Sequence, residues 1–159
     1  MAIDNYNIES FDMDNRDSLT VETNLFESSG LRYVSDGDDL TQGSANAAGL
    51  DLKAHVIEDK FIGTGVYASI PTGWVGLVVP RSSLGLKGFR LKNTLGVIDS
   101  DYRGEIKLAY EGYTPAIGER VAQLVLVPHF VGSVERMASI EDLDVTDRGE
   151  GGFGSTGDR

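Results

Sequence analysis

Cysteine is absent from this chain of 159 residues, and histidine occurs only at His55 and His129. Disulfides and thiolate metal sites are therefore excluded, and two imidazoles are too few for a histidine-built zinc centre. No apolar run approaches the length needed to cross a membrane as a helix. Met1-Ala2-Ile3-Asp4-Asn5 shows neither the basic nor the apolar portion of a signal peptide. The expectation is a cytoplasmic protein, or one of the host-cell cytoplasm if its source is viral, with no membrane partner. Basic charge is also scarce: 14 Lys and Arg stand against 25 Asp and Glu, for a net charge of -11. That argues against a partner of duplex nucleic acid, which calls for a basic footprint.

The length is a prior for a single domain. The acid is unevenly spread, for residues 1–44 hold 10 Asp and Glu against 2 Lys and Arg, a balance of -8 that leaves -3 for the remainder. The body is thus nearly neutral, and local arginines can still form an anion site in it. Residues 1–29 read as an acidic N-terminal extension of unknown role and partial order, with scattered Phe11, Val21, Leu25 and Phe26. Residues 30–44 are turn-rich. Beyond them short apolar runs alternate with Gly, Pro and Asp turns. Leu50 to Ala54 has a period of two; Val66 to Ile70 ends at Pro71-Thr72-Gly73; Trp74 to Val79 ends at Pro80; Gly104 to Tyr110 and Arg120 to Val127 follow. Such spacing with little helical periodicity predicts an all-β barrel or sandwich. One short helix fits Ser83 to Phe89, and a helical turn fits Ser139 to Leu143.

The last residues, Arg148-Gly149 and then Gly151-Gly152-Phe153-Gly154-Ser155-Thr156-Gly157, bury too little apolar area to order themselves. Their chemistry suits a polyphosphate: glycine backbones bring N–H groups close to anionic oxygens, hydroxyls add donors, Arg148 can meet a phosphate bidentately, and Phe153 can stack on a base. A frayed terminus has the same composition. Four interior segments join it: Ala48-Gly49-Leu50-Asp51-Leu52, Pro80-Arg81-Ser82-Ser83-Leu84-Gly85, Asn93-Thr94-Leu95-Gly96-Val97-Ile98-Asp99-Ser100-Asp101-Tyr102-Arg103-Gly104-Glu105, and Gly118-Glu119-Arg120-Val121-Ala122-Gln123-Leu124. Asp99 follows the apolar pair Val97-Ile98, which places its carboxylate at the end of a buried strand, fit to take a proton from water. Asp99-Ser100-Asp101 is equally good turn chemistry. Tyr102 is compatible with a core strand, Asn93 with a turn cap, and Gln123 with a buried amide bonded to backbone.

These five segments, in this order over residues 45–159, resemble the five-motif signature of the trimeric dUTP pyrophosphatases (dUTPases). The resemblance implies a distorted jelly-roll or β-barrel with one short helix and a flexible Gly-rich C-terminal arm. Its domains would be residues 1–29 as an extension, 30–147 as the β domain and 148–159 as a lid. It implies hydrolysis of dUTP to dUMP and pyrophosphate by water attack on the α-phosphorus, which limits uracil in DNA and supplies dUMP. Asp99 would activate the water. Tyr102 would lie under the deoxyribose, Asn93 and the backbone from Leu95 through Gly96 to Val97 would bond the uracil, and Arg81, Ser82, Ser83 and Gln123 would contact phosphates, Gln123 from a neighbouring subunit. A short helix starting near Leu84 would favour anions at its N-terminus. Arg148 would hold the γ-phosphate, Phe153 would cover the base, and Gly154, Ser155 and Thr156 would close on the terminal phosphate. Asp51 would support the site by orienting an arginine. Mg²⁺ would sit on substrate oxygens and water, with no direct protein ligand. The implied partners are dUTP and two further copies of the chain in a homotrimer with shared active sites.

The dCTP deaminases share the implied fold, but their deaminating glutamate stands just before the third-motif glycine. Arg103 holds that position here. The alternative from another class is a regulatory or binding protein of this fold acting through its N-terminal extension. Residues 54–71 and 110–118 are shorter than the family pattern and read as trimmed hairpins or surface loops.

Overall fold

The computed structural model describes residues 30–151; residues 1–29 and the expected lid residues Phe153, Gly154, Ser155 and Thr156 lie outside them. The chain divides between His129 and Phe130 into two units. In the first, two β-sheets enclose a single apolar core. One sheet runs β1 (Arg32–Ser35), β5 (Phe61–Ser69), β9 (Glu105–Glu111) and β7 (Arg90–Leu91), with β4 (Val56–Ile57) folded back on β5. The other runs β2 (Thr41–Gln42), β3 (Gly49–Lys53), β10 (Arg120–Pro128), β6 (Trp74–Pro80) and β8 (Gly96–Ile98). All the pairings are antiparallel.

Alternation decides what is buried. On β5 the inward set is Ile62, Thr64, Val66 and Ala68, and on β9 it is Ile106, Leu108 and Tyr110. Thr64 is accepted in the core because its hydroxyl donates to the Ile106 carbonyl at 2.7 Å and accepts from the Val66 N–H at 3.2 Å. Leu52, Val78, Ala122 and Leu124 close the core from the second sheet.

Two expectations change. Residues 30–44 are not only turns: Arg32-Tyr33-Val34-Ser35 pairs with β5, from Arg32 opposite Ser69 to Ser35 opposite Val66. This strand lies at a sheet edge with its side chains mostly exposed, so it lacks the buried alternation that marks a strand in sequence. The helix α1 spans Ser82–Leu86, shifted from Ser83 to Phe89. Gly88, at φ 87°, turns the chain after the Lys87 cap. Phe89 then enters the core and stacks on Tyr110 with ring centres 5.8 Å apart.

Part of the outer face of the second sheet is apolar. Register places Val125 opposite Leu77, Leu77 opposite Val97, and Val127 opposite Val75, all facing away from the core. Asp51, Gln123 and Val79 continue this face in one cross-strand row.

The second unit, described to Gly151, holds a short 3-10 turn at Ile140–Asp142, within the expected Ser139 to Leu143. Ser139 caps it: its hydroxyl accepts from the Glu141 N–H, and Asp142 accepts from the Ser139 N–H. Val134, Ile140 and Val145 are exposed in this unit, Val145 almost completely at 99%.

Candidate active site

The third sequence segment folds as β8, a turn and the start of β9. Together with the preceding loop it lines a cavity of about 370 Å³. Asn93, Gly96, Val97, Asp99 and Tyr102 all border it, so five residues singled out from sequence converge in the folded chain. The loop before β8 is tight. Thr94 stands at φ 61°, unusual for a β-branched residue, and the Leu95 N–H turns back to the Asn93 carbonyl. A conformation of this kind costs about 1–3 kcal/mol and persists only where surrounding structure imposes it. Here it leaves Asn93 exposed at the cavity.

One expectation about Asp99 is corrected. Its strand is not buried: β8 is the last strand of the sheet, paired only to β6 among the described residues, and Val97 is 59% exposed. A three-residue edge strand covers only one of its faces, so the apolar pair Val97-Ile98 does not report burial. Asp99 is exposed at the cavity, where water reaches it directly. The turn after it is closed by the Tyr102 N–H donating to the Asp99 carbonyl at 3.1 Å. Arg103 braces this turn by donating from Nη1 to the carbonyls of Ser100 and Tyr102, both at 2.7 Å. Asp99 is thus at once a turn residue and a carboxylate facing the cavity.

A second group gathers around Asp51. Its side chain is 2% exposed, yet it sits on the outer face of β3 opposite Gln123. Arg81 Nε approaches its Oδ1 at 3.4 Å, Arg120 Nη1 donates to its Oδ2 at 3.0 Å, and Gln123 Nε2 donates to its Oδ1 at 3.3 Å. Two cations offset the cost of burying this carboxylate. Asp51 is therefore paired with two arginines, Arg81 and Arg120. Sequence reasoning missed Arg120 because alternation puts it on the core side with Ala122. A register shift between these two residues inserts an extra position and turns Arg120 toward Asp51. Ser82 and Ser83 form the exposed first turn of α1, directly after Arg81.

Asp51, Arg81 and Gln123 do not line the cavity. Arg148 belongs to the second unit, where its Nε donates to the Gly151 carbonyl at 2.8 Å. Among the described residues no three His, Asp or Glu side chains converge on a common point.

The far end of α1 is fastened to the loop before β10. Lys87 Nζ lies 3.0 Å from Glu119 Oε1 and 4.7 Å from the centre of the Tyr113 ring. The Ala116 N–H, followed by Lys87, holds the Glu119 carboxyl below the ordinary range, while Glu119 and then Tyr113 hold Lys87 above its own. The depressed carboxyl contributes stability above its unfolded pKa, and this is lost as pH falls through the folded value; the raised ammonium contributes below its unfolded pKa, and this is lost as pH rises through the folded value. Glu119→Gln is therefore expected to lower Tm slightly at neutral pH. Its difference from the parent should vanish below the ordinary glutamate range, as thermal melts across pH will show. Both groups are solvent-accessible, so salt should shrink the effect.

The model of the dUTPase family matches residues 35–157. The deoxyuridine 5′-triphosphate nucleotidohydrolase of Escherichia phage T5 is 44% identical over 135 residues, covering 74% of this chain and 90% of the relative. That of Corynebacterium jeikeium (strain K411) is 48% identical over 105 residues, covering 62% and 68%. Among solved structures, the dUTPase of Staphylococcus bacteriophage 80alpha with dUPNHPP superposes with a TM-score of 0.68 at 25% identity, over 82% of this chain and 99% of that one. A variant of the dUTPase from phage phi11 of S. aureus, described with a structural Mg(II) ion, superposes with a TM-score of 0.59 at 23% identity, over 71% and 99%.

Proposed function

The chain belongs to the dUTPase family and hydrolyses dUTP, and on that premise we propose how its residues divide the reaction. The observation that carries the assignment is the meeting of Asn93, Asp99 and Tyr102 in one cavity. Asp99 takes a proton from a water molecule. The oxygen of that water attacks the α-phosphorus, the bond from this phosphorus to the bridging oxygen breaks, and dUMP and pyrophosphate part. The Tyr102 ring underlies the deoxyribose, leaving no room for a 2′-hydroxyl. Asn93 and the backbone of Leu95, Gly96 and Val97 bond the uracil edge; an amide supplies donor and acceptor together. Arg81, Ser82, Ser83 and Gln123 bind phosphate oxygens, with Asp51 holding Arg81 in place. Arg148, Phe153, Gly154, Ser155 and Thr156 close over the bound nucleotide.

Mg²⁺ would be held by phosphate oxygens of the substrate and by water, and would supply neutralisation of the triphosphate charge. Phosphate oxygens and water suit its octahedral preference, and the three groups around Asp51 already occupy that carboxylate.

The functional assembly is a homotrimer with shared sites. Three features support it. The Asp51 group stands apart from the cavity within one chain. The outer face of Val75, Leu77, Val125 and Val127 beside that group is apolar where a free sheet face is ordinarily polar. The second unit exposes valine and isoleucine side chains that a neighbouring copy can cover. Light scattering is expected to give three times the 17.1 kDa of the chain. Leu77→Asp should reduce both the mass and the activity. A fully active monomer would refute shared sites.

Selectivity tests the assignment. A site that fits the uracil edge leaves buried groups unpaired against cytosine and clashes with a 5-methyl group, and the Tyr102 ring opposes a 2′-hydroxyl. UTP, dTTP and dCTP are therefore expected at least about a hundredfold below dUTP in kcat/KM. Comparable values for dUTP and dTTP would contradict this reading. A regulatory role through residues 1–29 is not favoured, since the family match spans the catalytic body. Deleting those residues should leave hydrolysis little changed.

A further inference from the structure

Glu105 joins the floor of the cavity to the neighbouring strand, a role that neither its place in the motif nor the reaction assigns. The Tyr102 hydroxyl donates to the Glu105 carbonyl at 3.1 Å, so this aromatic side chain, itself 44% exposed, is held at its far end by the first residue of β9. The ring can lie there because residue 104 is glycine: a β-carbon on Gly104 would collide with the Tyr102 hydroxyl.

The carboxylate of Glu105 points the other way, into β5. There the register between β5 and β9 shifts between Gly63 and Tyr67, and Gly65 stands at φ 69°. In this irregular stretch the Gly65 N–H donates to Glu105 Oε1 at 2.8 Å, and the second oxygen lies 3.3 Å from Lys107 Nζ. Gly63 makes the approach possible, since a β-carbon there would stand 2.7 Å from Oε1. The carboxylate is well covered, at 17% exposure, and both Glu105 and Lys107 border the cavity. One side chain thus satisfies a bulge amide, pairs with a lysine and fixes the backbone carbonyl that tethers Tyr102.

We propose that Glu105 is a positioning residue for sugar discrimination, acting through Tyr102 by pinning the start of β9 to the β5 bulge. The proposal rests on the reading of Tyr102 as the surface under the deoxyribose. A surface that excludes a hydroxyl must hold its place to within a fraction of an ångström, and a misplacement of about 1 Å from outside the chemistry can cost about a hundredfold. Loss of the pin should admit the ribose sugar more than it slows the deoxyribose one.

The test measures kcat/KM for dUTP and UTP in the full-length protein and in Glu105→Ala, Glu105→Gln, Tyr102→Phe and the Glu105→Ala/Tyr102→Phe double variant. Glu105→Ala and Tyr102→Phe are each expected to lower the dUTP-to-UTP ratio by about tenfold, and the double variant no further, because coupled residues are non-additive. Glu105→Gln, whose amide oxygen still accepts from Gly65, should keep most of the ratio. If Glu105→Ala does not fold, Glu105→Asp, one methylene too short for Gly65, replaces it. An unchanged ratio despite a lowered Tm would make Glu105 merely structural and overturn the proposal, as would losses that multiply in the double variant. Equal hydrolysis of dUTP and UTP by the parent would instead remove the Tyr102 reading beneath it.

Discussion

Asp99→Asn is expected to fold as the parent does and to bind dUTP, while turnover falls by about 10²–10⁴-fold, the usual worth of a positioned general base. Asn keeps the shape of Asp and its capacity to sit in a turn, so the bond from the Tyr102 N–H to the residue 99 carbonyl and the Arg103 brace to the Ser100 and Tyr102 carbonyls survive. Only the capacity to accept a proton is lost. The split between kcat and binding is therefore the informative quantity, read by single-turnover hydrolysis beside calorimetric titration with a non-hydrolysable analogue. A kcat near that of the parent would take Asp99 out of the mechanism and leave it as a turn residue. A collapse of binding with kcat unchanged would place it on the substrate in a role other than proton transfer.

Truncation after Asp147 should remove nearly all activity and almost no stability. Among the described residues the β-sheet core lies within the first unit, and Arg148 lies in the second, exposed, with its Nε donating to the Gly151 carbonyl. Among the described residues, none of those that form the core is cut away. The lost segment carries Arg148, the aromatic ring of Phe153 and the hydroxyls of Ser155 and Thr156. Hydrogen bonds to charged groups are worth about 1.5–3 kcal/mol each. Losing two or three of them from the transition state lowers kcat/KM by about a hundredfold or more. Phe153→Ala should be milder, at about 1–3 kcal/mol of base stacking. Thermal melts and steady-state kinetics on the truncated chain separate the two roles: a large drop in Tm would make the segment structural, and retained activity would make it only a tail.

Much of this architecture was legible in the residues. A period of two marked β3, short apolar runs bounded by prolines marked β6 and β10, and Gly104 to Tyr110 marked β9. The third segment pointed to the residues that meet in the cavity because they lie close together in sequence, where one turn between β8 and β9 brings them together. What escaped required knowledge of partners far along the chain. The exposed edge strand β1 takes its conformation from β5 rather than from any pattern of its own. Arg120 reaches Asp51 only through a shift of register in β10. Glu105 reads as an ordinary strand residue until the irregular pairing of β5 and β9 brings the Gly65 amide to it. The supporting role expected of Asp51 came from the family resemblance and not from any local pattern.

The most direct test is hydrolysis of dUTP in water enriched in ¹⁸O, with mass spectrometry of both products. Attack on the α-phosphorus by water that Asp99 has activated should place one heavy oxygen in dUMP and none in pyrophosphate. Heavy oxygen in the pyrophosphate, or release of inorganic phosphate in its place, would contradict the mechanism by moving the attack to another phosphorus.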